Sequence, residues 1–275
     1  MNDSSPPIIA LLTDFGLRGS HYVASMKAVI KRINPMAEII DLSHTITPYS
    51  TMETSYILTS TYHHFPKNTV FVIVVDPGVG SEREILAIRT YHDYFFVGPN
   101  NGLFSNYIIS KIEECVSIEN DRYFYLPISK TFHGRDIMAP VGAHITKGTS
   151  LENFGSNFPI ESIKQTKSDF KILSEHKIQA NIQYIDSFGN GTTNIPMEGH
   201  EVRNSNIRLE TGNEIKISFD QKEFIGTFET HFSEVNKESI IFLVGSTGFL
   251  ELSINQGNAA ARLGFSVGDK ITIYV

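Results

Sequence analysis

The 275-residue sequence is poor in several features that would assign it to a common functional class. It has one cysteine, Cys115, which excludes an intrachain disulfide and fits a reducing compartment. Its formal charge is -7, and it has no block or stripe of Lys and Arg, so a nucleic-acid partner is not expected. No apolar run approaches the roughly 20 residues of a membrane span, and the polar start MNDSSPP does not resemble a secretory signal. We therefore predict a soluble, cytoplasmic protein without a membrane partner.

Motifs for several kinds of chemistry are also missing. Cys115 and the adjacent pair His63–His64 do not provide the spacing of a zinc site. The sequence has neither a Walker loop nor a GxGxxG motif, which are the usual phosphate cradles. It has no GxSxG elbow either, so Ser81, which follows a glycine-rich turn, lacks the context of a catalytic serine.

The first half of the chain alternates between strand and helix patterns. Short apolar runs predict buried strands at residues 8–12, 38–42 and 70–76. Between them, helical spacing predicts a helix from a cap at Ser20 to Ile33. Ser50 and Glu53 have the spacing of a capping box for a helix that ends near Tyr62. This order is typical of a parallel sheet with right-handed crossovers.

The later part of the first half predicts two further strands and two further helices. The strands are expected at residues 85–89 and 94–97, and the helices at residues 103–112 and 137–145. Residues 150–174 have little periodicity, which predicts a linker.

The second half is rich in short β-type segments and nearly free of helical patterns. Strands are predicted at residues 178–185, 207–209, 214–219, 224–228, 240–244, 249–254 and 270–275. Only residues 257–263 have helical character. The fold is therefore predicted to be α/β, with a Rossmann-like domain of mostly parallel sheet at residues 1–170. Residues 171–275 are predicted to form a small antiparallel β-barrel or sandwich.

One stretch, TVFVIVVDPGVGSERE at residues 69–84, combines a buried strand with an abrupt turn. Pro77 fixes φ and removes a donor, and the glycines at 78 and 80 permit backbone conformations that are closed to other residues. Asp76 is thus expected at the carboxyl end of a buried strand, where ligands bind in open α/β sheets, with Arg83 close by in the chain. An ordinary Asp-Pro-Gly turn is the alternative.

Polar groups in predicted loops beside the strands are the candidate site residues Asp14, Asp76, Arg83, Asn100, Asn101, His133 and Asp136. Each has a structural alternative. Asp14 could cap the next helix, and His133 could be a hydrogen-bonded histidine near a helix start. Arg83 could be a surface charge, and Asp136 a first-turn residue favoured by the helix dipole. The asparagines could belong to a simple turn. These patterns predict a site at the strand ends but no named reaction.

Seven of these loops together resemble a known family, the S-adenosyl-L-methionine (SAM) hydroxide adenosyltransferases. These enzymes are hydrolytic relatives of the fluorinating and chlorinating enzymes that act on the same substrate. The resemblance runs from about residue 8 to the C-terminus and rests on the order of the motifs. They are TDFG (13–16), SHTITPY (43–49), DPGVGSER (76–83), GPNNGL (98–103), TFHGRD (131–136), IDSFGN (185–190) and GNAAARLG (257–264).

The resemblance implies an N-terminal α/β domain, a C-terminal β-barrel domain and a homotrimer with active sites between subunits. It implies hydrolysis of SAM to adenosine and methionine, with SAM as substrate and no cofactor or metal. The family's Asp–Arg–His triad would correspond to Asp76, Arg83 and His133 as catalytic residues.

The resemblance also implies substrate-binding residues in both domains. Asp14 would bind the ribose, Tyr49 lies where the halogenating relatives carry a tryptophan beside the sugar, and Phe132 would be a further contact. Asp186 and Asn190 match positions that hold the methionine portion and the base, although this loop is one residue shorter than in the halogenating enzymes. Barrel-side contacts to adenine would come from Phe232, Ser246, Asn258 and Ala259.

These residue types suit the implied reaction. The sulfonium makes methionine a good neutral leaving group, so the scarce component at neutral pH is the nucleophile. A carboxylate can accept or orient a proton of water, while Arg83 and His133 favour negative charge on its oxygen. Alignment of the water behind C5′ supplies further acceleration.

Two other functions remain open from the sequence. The first is a non-catalytic SAM or adenosine sensor, against which the complete Asp76, Arg83 and His133 set argues. The second is halide transfer. The halogenating relatives carry a tyrosine at the position of Asp76 and a serine at that of Gly134, and a carboxylate in a desolvated anion site would repel halide. The short connection from Arg89 to Tyr94 also lacks the inserted loop of those enzymes.

Overall fold

A computed structural model describes residues 5–165 and 170–275 of the chain. The chain divides into two compact units, residues 1–166 and 167–275. Residues 166–169, which are part of the predicted linker, and residues 1–4, which include the start of the polar N-terminus, lie outside the described residues. Within the described ranges, no helix has both the length and the apolar character needed to cross a bilayer.

The first unit is a layered α/β structure. Its described strands are β1 Ile8–Thr13, β2 Glu38–Ser43, β3 Val70–Val74, β4 Ile85–Thr90, β5 Phe95–Pro99 and β6 Ile112–Ser117. Its described α-helices are α1 Ser20–Ile33, α2 Thr51–Thr61, α3 Asn106–Ile109 and α4 Ala139–Ile145. The strands form one sheet in the order β2-β1-β3-β5-β4-β6. The pairs from β2 to β5 are parallel, while β4 pairs antiparallel with β5 and β6, so the predicted mostly parallel sheet is confirmed.

Alternate residues of each central strand face two different cores. Ile9 and Leu11 of β1 pack with apolar residues of α1 and α4, whereas Ala10 and Leu12 pack with residues of α2 and its continuation. Every residue of β3 is buried, as its apolar run predicts. Full burial of each such Val or Ile side chain stabilises the fold by about 1.5–3 kcal/mol. Burial on both faces holds β1 and β3 in the middle of the layered structure.

The helix predicted at residues 103–112 is wrong over most of its length. Only Asn106–Ile109 is helical, and Ser105 caps it through a hydrogen bond from the backbone N–H of Ile108 to its side chain. The chain then forms β6, an edge strand that pairs with β4. A strand whose partner lies more than twenty residues away has little local signature, because its stability comes from that pairing.

Two helix starts differ in detail from their predictions. Ser20 is the first residue of α1 rather than its cap, which is Gly19. Ser50 caps α2 as predicted, with the Glu53 N–H donating to its hydroxyl at 3.2 Å. The Glu53 carboxylate instead accepts from the Thr47 N–H at 3.0 Å. The capping box is therefore half formed, and its glutamate ties down the loop before the helix.

The second unit is a closed β-barrel. Its described strands are β7 Lys171–Ser174, β8 Lys177–Ile185, β9 Gly191–Glu198, β10 Glu201–Val202, β11 Glu214–Phe219, β12 Lys222–Phe228, β13 Ile240–Val244, β14 Phe249–Ile254 and β15 Lys270–Tyr274. They run in the order β10-β9-β14-β13-β12-β11-β15-β8-β7, and pairing of β8 with β9 closes the seven strands from β9 to β8. A five-residue helix, α5 Ala259–Leu263, follows β14 as predicted.

The barrel differs from its prediction in three respects. Strand β12 pairs parallel with β13, so the barrel is not wholly antiparallel. Residues 207–209 form only an isolated bridge rather than a strand. The strands β7, β9 and β10 were not predicted. Strand β7 falls in the expected linker, and the residues TTN of β9 are polar. Buried Thr192, Thr193 and Asn194 are accommodated there by pairing on both sides.

Candidate active site

A cavity of about 320 Å³ opens at the carboxyl ends of β1 and β3 in the first unit. Its lining combines acidic, imidazole and aromatic groups from four loops: Asp14, Phe15, Pro48, Tyr49, Val74, Asp76, Val79, Thr131, Phe132, His133 and Gly134. A cavity with ionisable lining residues therefore lies at the sheet edge where the sequence predicts the site.

Asp76, Arg83 and His133 form one connected group. The Arg83 Nε donates to Asp76 Oδ1 at 2.7 Å, and its Nη2 contacts Oδ2 of the same carboxylate. The Arg83 Nη2 also lies 3.3 Å from His133 Nδ1. The side chains of Arg83 and Asp76 are only 7% and 4% exposed. This answers the surface-charge alternative for Arg83, which is a buried partner of Asp76.

The turn after β3 is shaped to bring these groups together. The Val79 N–H donates to the Asp76 carbonyl at 3.3 Å, and the Ser81 N–H donates to the Gly78 carbonyl at 3.0 Å. Gly80 has a φ of 80°, and a Cβ there would lie 2.5 Å from the Lys130 carbonyl oxygen. Glycine thus permits the segment that precedes His133 to approach the turn that carries Arg83.

The contact with Arg83 determines the tautomer of His133. A guanidinium has only donors, so the Nδ1 atom that faces it must be the acceptor. The proton of neutral His133 is then on Nε2. Burial, and then the charge of Arg83, hold the pKa of His133 below its usual value, against an opposing effect of Asp76. His133 is therefore neutral near pH 7 and can donate a hydrogen bond through Nε2.

Asp14 lies beside this group, on the turn that follows β1. Its Oδ2 accepts a hydrogen bond from the Tyr49 N–H at 2.9 Å. Tyr49 has a φ of 68°, an uncommon conformation for a bulky residue, and its side chain is exposed. Burial raises the pKa of Asp14, and the charge of Asp76 adds to the effect. Asp14 does not cap α1, whose cap position is Gly19 without a side-chain bond.

Phe132 and Asp136 anchor the loop that carries His133. Phe132 makes edge contacts with Phe15 and Tyr22, at ring-centre distances of 5.8 and 5.2 Å. Asp136 is fully buried and accepts from Arg135 Nε at 2.6 Å and from the Ser129 N–H at 2.8 Å. Asp136 lies in the first turn of the helical segment Gly134–Met138, as its structural alternative stated. It holds the loop and does not line the cavity.

Asn100 and Asn101 act on the backbone near the site. Asn101 Nδ2 donates to the carbonyl of Val75, the residue before Asp76, at 2.8 Å. Asn100 Nδ2 donates to Glu84 Oε2 at 3.1 Å. Both asparagines therefore link the loop after β5 to the two ends of the Asp76–Arg83 turn.

The barrel unit has its own cavity, of about 550 Å³. It is lined by Phe188, Asn190, Phe232, Ile254, Asn255, Gln256 and Gly257. Two of the predicted substrate contacts, Asn190 and Phe232, are among these residues. Phe188, which was not predicted, is 74% exposed beside them. Its position in the IDSFGN motif was the signal that could have identified it.

Asp186 stabilises the loop that carries the cavity residues Phe188 and Asn190. Its Oδ1 accepts from the N–H groups of Phe188 and Asn190, both at 2.9 Å. Its Oδ2 accepts from Asn190 Nδ2, also at 2.9 Å. A carboxylate oxygen has two acceptor sites, so Oδ2 retains capacity for one more donor.

The remaining predicted barrel residues are not among those that line the cavity. Asn258 caps α5 by accepting from the Ala261 N–H at 2.7 Å, and the Ala259 side chain is buried. Ser246 is exposed in the hairpin turn between β13 and β14. Gly257 lines the cavity directly before Asn258, so the GNAAARLG motif reaches it through its first residue.

A further cavity, of about 380 Å³, lies near the amino ends of β1 and β5. Its lining includes Pro7, Phe95, Arg89 and Glu114, and the last two form an ion pair at 3.3 Å. None of the predicted site residues lines it. The cavity beside Asp76 is the candidate site, because carboxylate and imidazole groups line it and the Arg83 guanidinium joins them.

Comparison with protein-family models identifies the lineage of both units. The SAM hydroxide adenosyltransferase N-terminal domain matches residues 9–155, and the C-terminal domain of the same family matches residues 180–272. The chain belongs to the SAM hydroxide adenosyltransferase family.

Relatives of this adenosyltransferase chain match it over nearly its full length. A protein named (R)-S-adenosyl-L-methionine hydrolase from Methanocaldococcus jannaschii is 35% identical, covering 99% of this chain and 98% of its own. A fluorinase from Nocardia brasiliensis is 23% identical, covering 98% of this chain and 97% of its own. The crystal structure of an uncharacterized conserved protein from Thermotoga maritima is 37% identical, with a TM-score of 0.88, covering 97% of this chain and 100% of that chain.

In this adenosyltransferase chain, five of the predicted site residues lie together, along with neighbours that were not predicted. Asp14, Tyr49, Phe132, Asp76 and His133 all line one cavity, as expected for one site. Phe15, Pro48, Val79 and Thr131 line it too and were not singled out. Each of these four residues lies within one of the seven motifs, and this position is the sequence signal that could have identified it.

Proposed function

We propose that this protein hydrolyses SAM to adenosine and L-methionine by in-line attack of water at C5′. The observation that carries the proposal is that Arg83 bridges Asp76 and His133, two residues that line one cavity together with Asp14. Membership of the family and the names of the SAM hydrolase relatives support the same substrate.

The mechanism assigns one task to each member of the group. Arg83 occupies one acceptor site on each Asp76 oxygen, which leaves further acceptor sites for a proton of water. Arg83 and the Nε2–H of His133 then favour negative charge on the attacking oxygen. Attack forms the O–C5′ bond as the C5′–S bond breaks, the electron pair stays on sulfur, and the water proton leaves toward Asp76. Methionine departs as a neutral thioether, so no acid is needed at sulfur and we expect no cofactor.

Water, rather than halide, suits this cavity as nucleophile. The Asp76 carboxylate would repel a halide ion in so buried a position. Gly134 stands where the halogenating relatives carry serine, and a Cβ there would lie 2.8 Å from Val74 Cγ1. A serine would therefore require the Val74 side chain or the segment that carries residue 134 to shift.

The substrate contacts complete the proposal. Asp14 would accept from the ribose hydroxyls, with Tyr49 and Phe132 beside the sugar. On the barrel unit, Asp186 and Asn190 would hold the methionine portion and the base, with adenine contacts from Phe232, Ser246, Asn258 and Ala259. The free acceptor site on Asp186 Oδ2 suits the substrate's ammonium group. We propose a homotrimer with active sites between subunits, and a cytoplasmic location, which the single buried cysteine supports.

The test is incubation of the purified protein with each sulfonium epimer of SAM, in chelator, with adenosine and methionine quantified. We expect both products in equal amounts, from the (R) epimer by analogy with the named relatives. In ¹⁸O-water the label should enter the adenosine 5′-hydroxyl. Tight binding without turnover would instead support a sensor, and label elsewhere would exclude attack at C5′.

The acid limb of the pH profile should report His133. Because its pKa is lowered, kcat/KM should be flat near neutrality and fall as the pH drops through that lowered pKa. Protonation at Nδ1 would turn the acceptor into an N–H donor that faces the Arg83 donor, so this contact would be lost. Protonation of Asp14, whose pKa is raised, should steepen the limb. The measurement is kcat/KM against pH for the wild type and for His133→Gln, which should lose the histidine component.

Protein stability must be followed in the same pH series. The unfolded histidine binds its proton at a higher pH than folded His133, so stability declines as the pH falls from about 6.5 to the lowered pKa. Circular dichroism at each pH separates this loss from the catalytic one. An acid limb unchanged in His133→Gln would contradict the assignment.

A further inference from the structure

Two links tie the turn that carries Asp14 to the loop after β2. The Gly16 N–H donates to the His44 carbonyl at 2.7 Å, and the Tyr49 N–H donates to Asp14 Oδ2 at 2.9 Å. Asp14 is therefore oriented by residues 44–49 rather than by the helix that follows it. The position of that loop decides where the carboxylate lies.

The ring of His44 holds this loop against both strands. Its Nδ1 lies 3.0 Å from the hydroxyl of Thr13, the last residue of β1, which is fully buried. Its Nε2 lies 3.0 Å from Asp41 Oδ1 on β2. The second oxygen of Asp41 contacts Lys27 Nζ on α1 at 2.6 Å. One ring thus joins the ends of β1 and β2 immediately beside Asp14.

The donors and acceptors around His44 indicate how its ring is held. The Phe15 N–H lies 3.4 Å from the Thr13 hydroxyl oxygen, so the hydroxyl proton is free to point at His44 Nδ1. His44 Nε2 then faces the Asp41 carboxylate at ion-pair distance, without the geometry of a hydrogen bond. Burial raises the pKa of Asp41, but the neighbouring Lys27 and His44 outweigh this effect, and the pKa is lowered overall. Asp41 is therefore an anion throughout the neutral range.

We infer that His44 is a positioning residue for ribose recognition, acting by holding the Asp14 carboxylate toward the cavity. The inference rests on the proposed function, in which Asp14 binds the ribose hydroxyls. His44 does not line the cavity, so its effect passes through Thr13, the loop and Asp14. A ring that only stabilised the fold would affect every ligand alike, whereas this role concerns the ribose alone.

The test compares ligands with and without the hydroxyls. Affinities for adenosine and 2′,3′-dideoxyadenosine are measured by calorimetry on wild type and His44→Ala. We expect the variant to bind adenosine about tenfold more weakly, within the range for a hydrogen bond to a charged group. Binding of the dideoxy ligand should change by less than about twofold. In turnover, the KM for SAM should rise while kcat stays within about threefold.

Conservative variants separate the two contacts of the ring. His44→Asn places a polar atom near the position of Nδ1 and should recover part of the adenosine affinity through Thr13. His44→Gln reaches toward Asp41 and should recover less. His92→Ala, at an exposed turn between β4 and β5, is the matched control and should behave as wild type. Circular dichroism establishes that each variant is folded.

Each outcome decides the inference. Equal weakening of both ligands in His44→Ala would overturn it, as would unchanged adenosine binding. If the wild type itself binds both ligands alike, Asp14 does not recognise the ribose and the inference fails with it. Failure of SAM hydrolysis is a separate result, because the binding measurement needs no turnover.

Discussion

Replacement of Asp76 by asparagine should lower kcat for SAM hydrolysis by at least about 100-fold, the usual scale for a positioned acid–base group. Asparagine keeps the shape but loses the charge that holds Arg83, and it presents an amide donor to a guanidinium. The water then loses its proton acceptor, and Arg83 loses the bond that aims it at His133. The measurement is steady-state formation of adenosine and methionine.

The fold must be separated from the chemistry in this variant. The Arg83 side chain is 7% exposed, so removal of its counter-ion leaves a buried charge and costs about 3–5 kcal/mol in free energy of unfolding. Urea unfolding gives the folded fraction at which kcat is compared. Asp93→Asn, which removes a carboxylate from a surface pair with Lys67, is the control and should keep full activity. Full turnover in folded Asp76→Asn would refute the assigned role.

Replacement of Arg83 by lysine should lower kcat by at least about 100-fold, the scale for a positioned acid–base group, because Arg83 orients both Asp76 and His133. Lysine keeps the charge, but a single ammonium cannot reproduce the two parallel contacts to Asp76 and also reach His133 Nδ1. The acceptor on His133 would be left without its donor. We expect the loss in kcat rather than in KM, since Arg83 is not among the residues that line the cavity.

Arg89→Lys is the matched control for this change. Arg89 pairs with Glu113 and Glu114 at 3.4 and 3.3 Å outside the site, so its replacement should leave kcat within about twofold. The double variant Asp76→Asn/Arg83→Lys should be little worse than the poorer single variant, because residues that act as a unit are not additive. Additive losses would mean that the two side chains work independently.

The sequence alone was sufficient for the elements that are stabilised locally or by simple burial. The apolar run of β3 predicted a strand buried on both faces, and Asp76 was expected at its carboxyl end. Ser50 was recognised as a cap because its partner, the N–H of Glu53, is only three residues away. The seven ordered motifs identified the family, since no tertiary information is needed to compare residue types in order.

Elements stabilised by distant partners could not be predicted in the same way. Strand β9 carries the polar run Thr192–Asn194, and it is a strand because β8 and β14 pair with it and close the barrel. Strand β6, which follows the predicted helix, was not predicted, because β4 supplies its hydrogen bonds. In each case the stabilising energy comes from pairing between segments far apart in sequence, which local propensity does not contain.

The same distinction between local and long-range information applies to the candidate site. The sequence by itself determined which side chains could react and that Asp76 would stand at a sheet edge. Only the tertiary structure decided that Arg83, seven residues from one partner and fifty from the other, joins Asp76 to His133. It also placed the His44 ring between Thr13 and Asp41. Hydrogen bonds depend on ångström-scale distances, and packing of the whole sheet and its loops sets those distances.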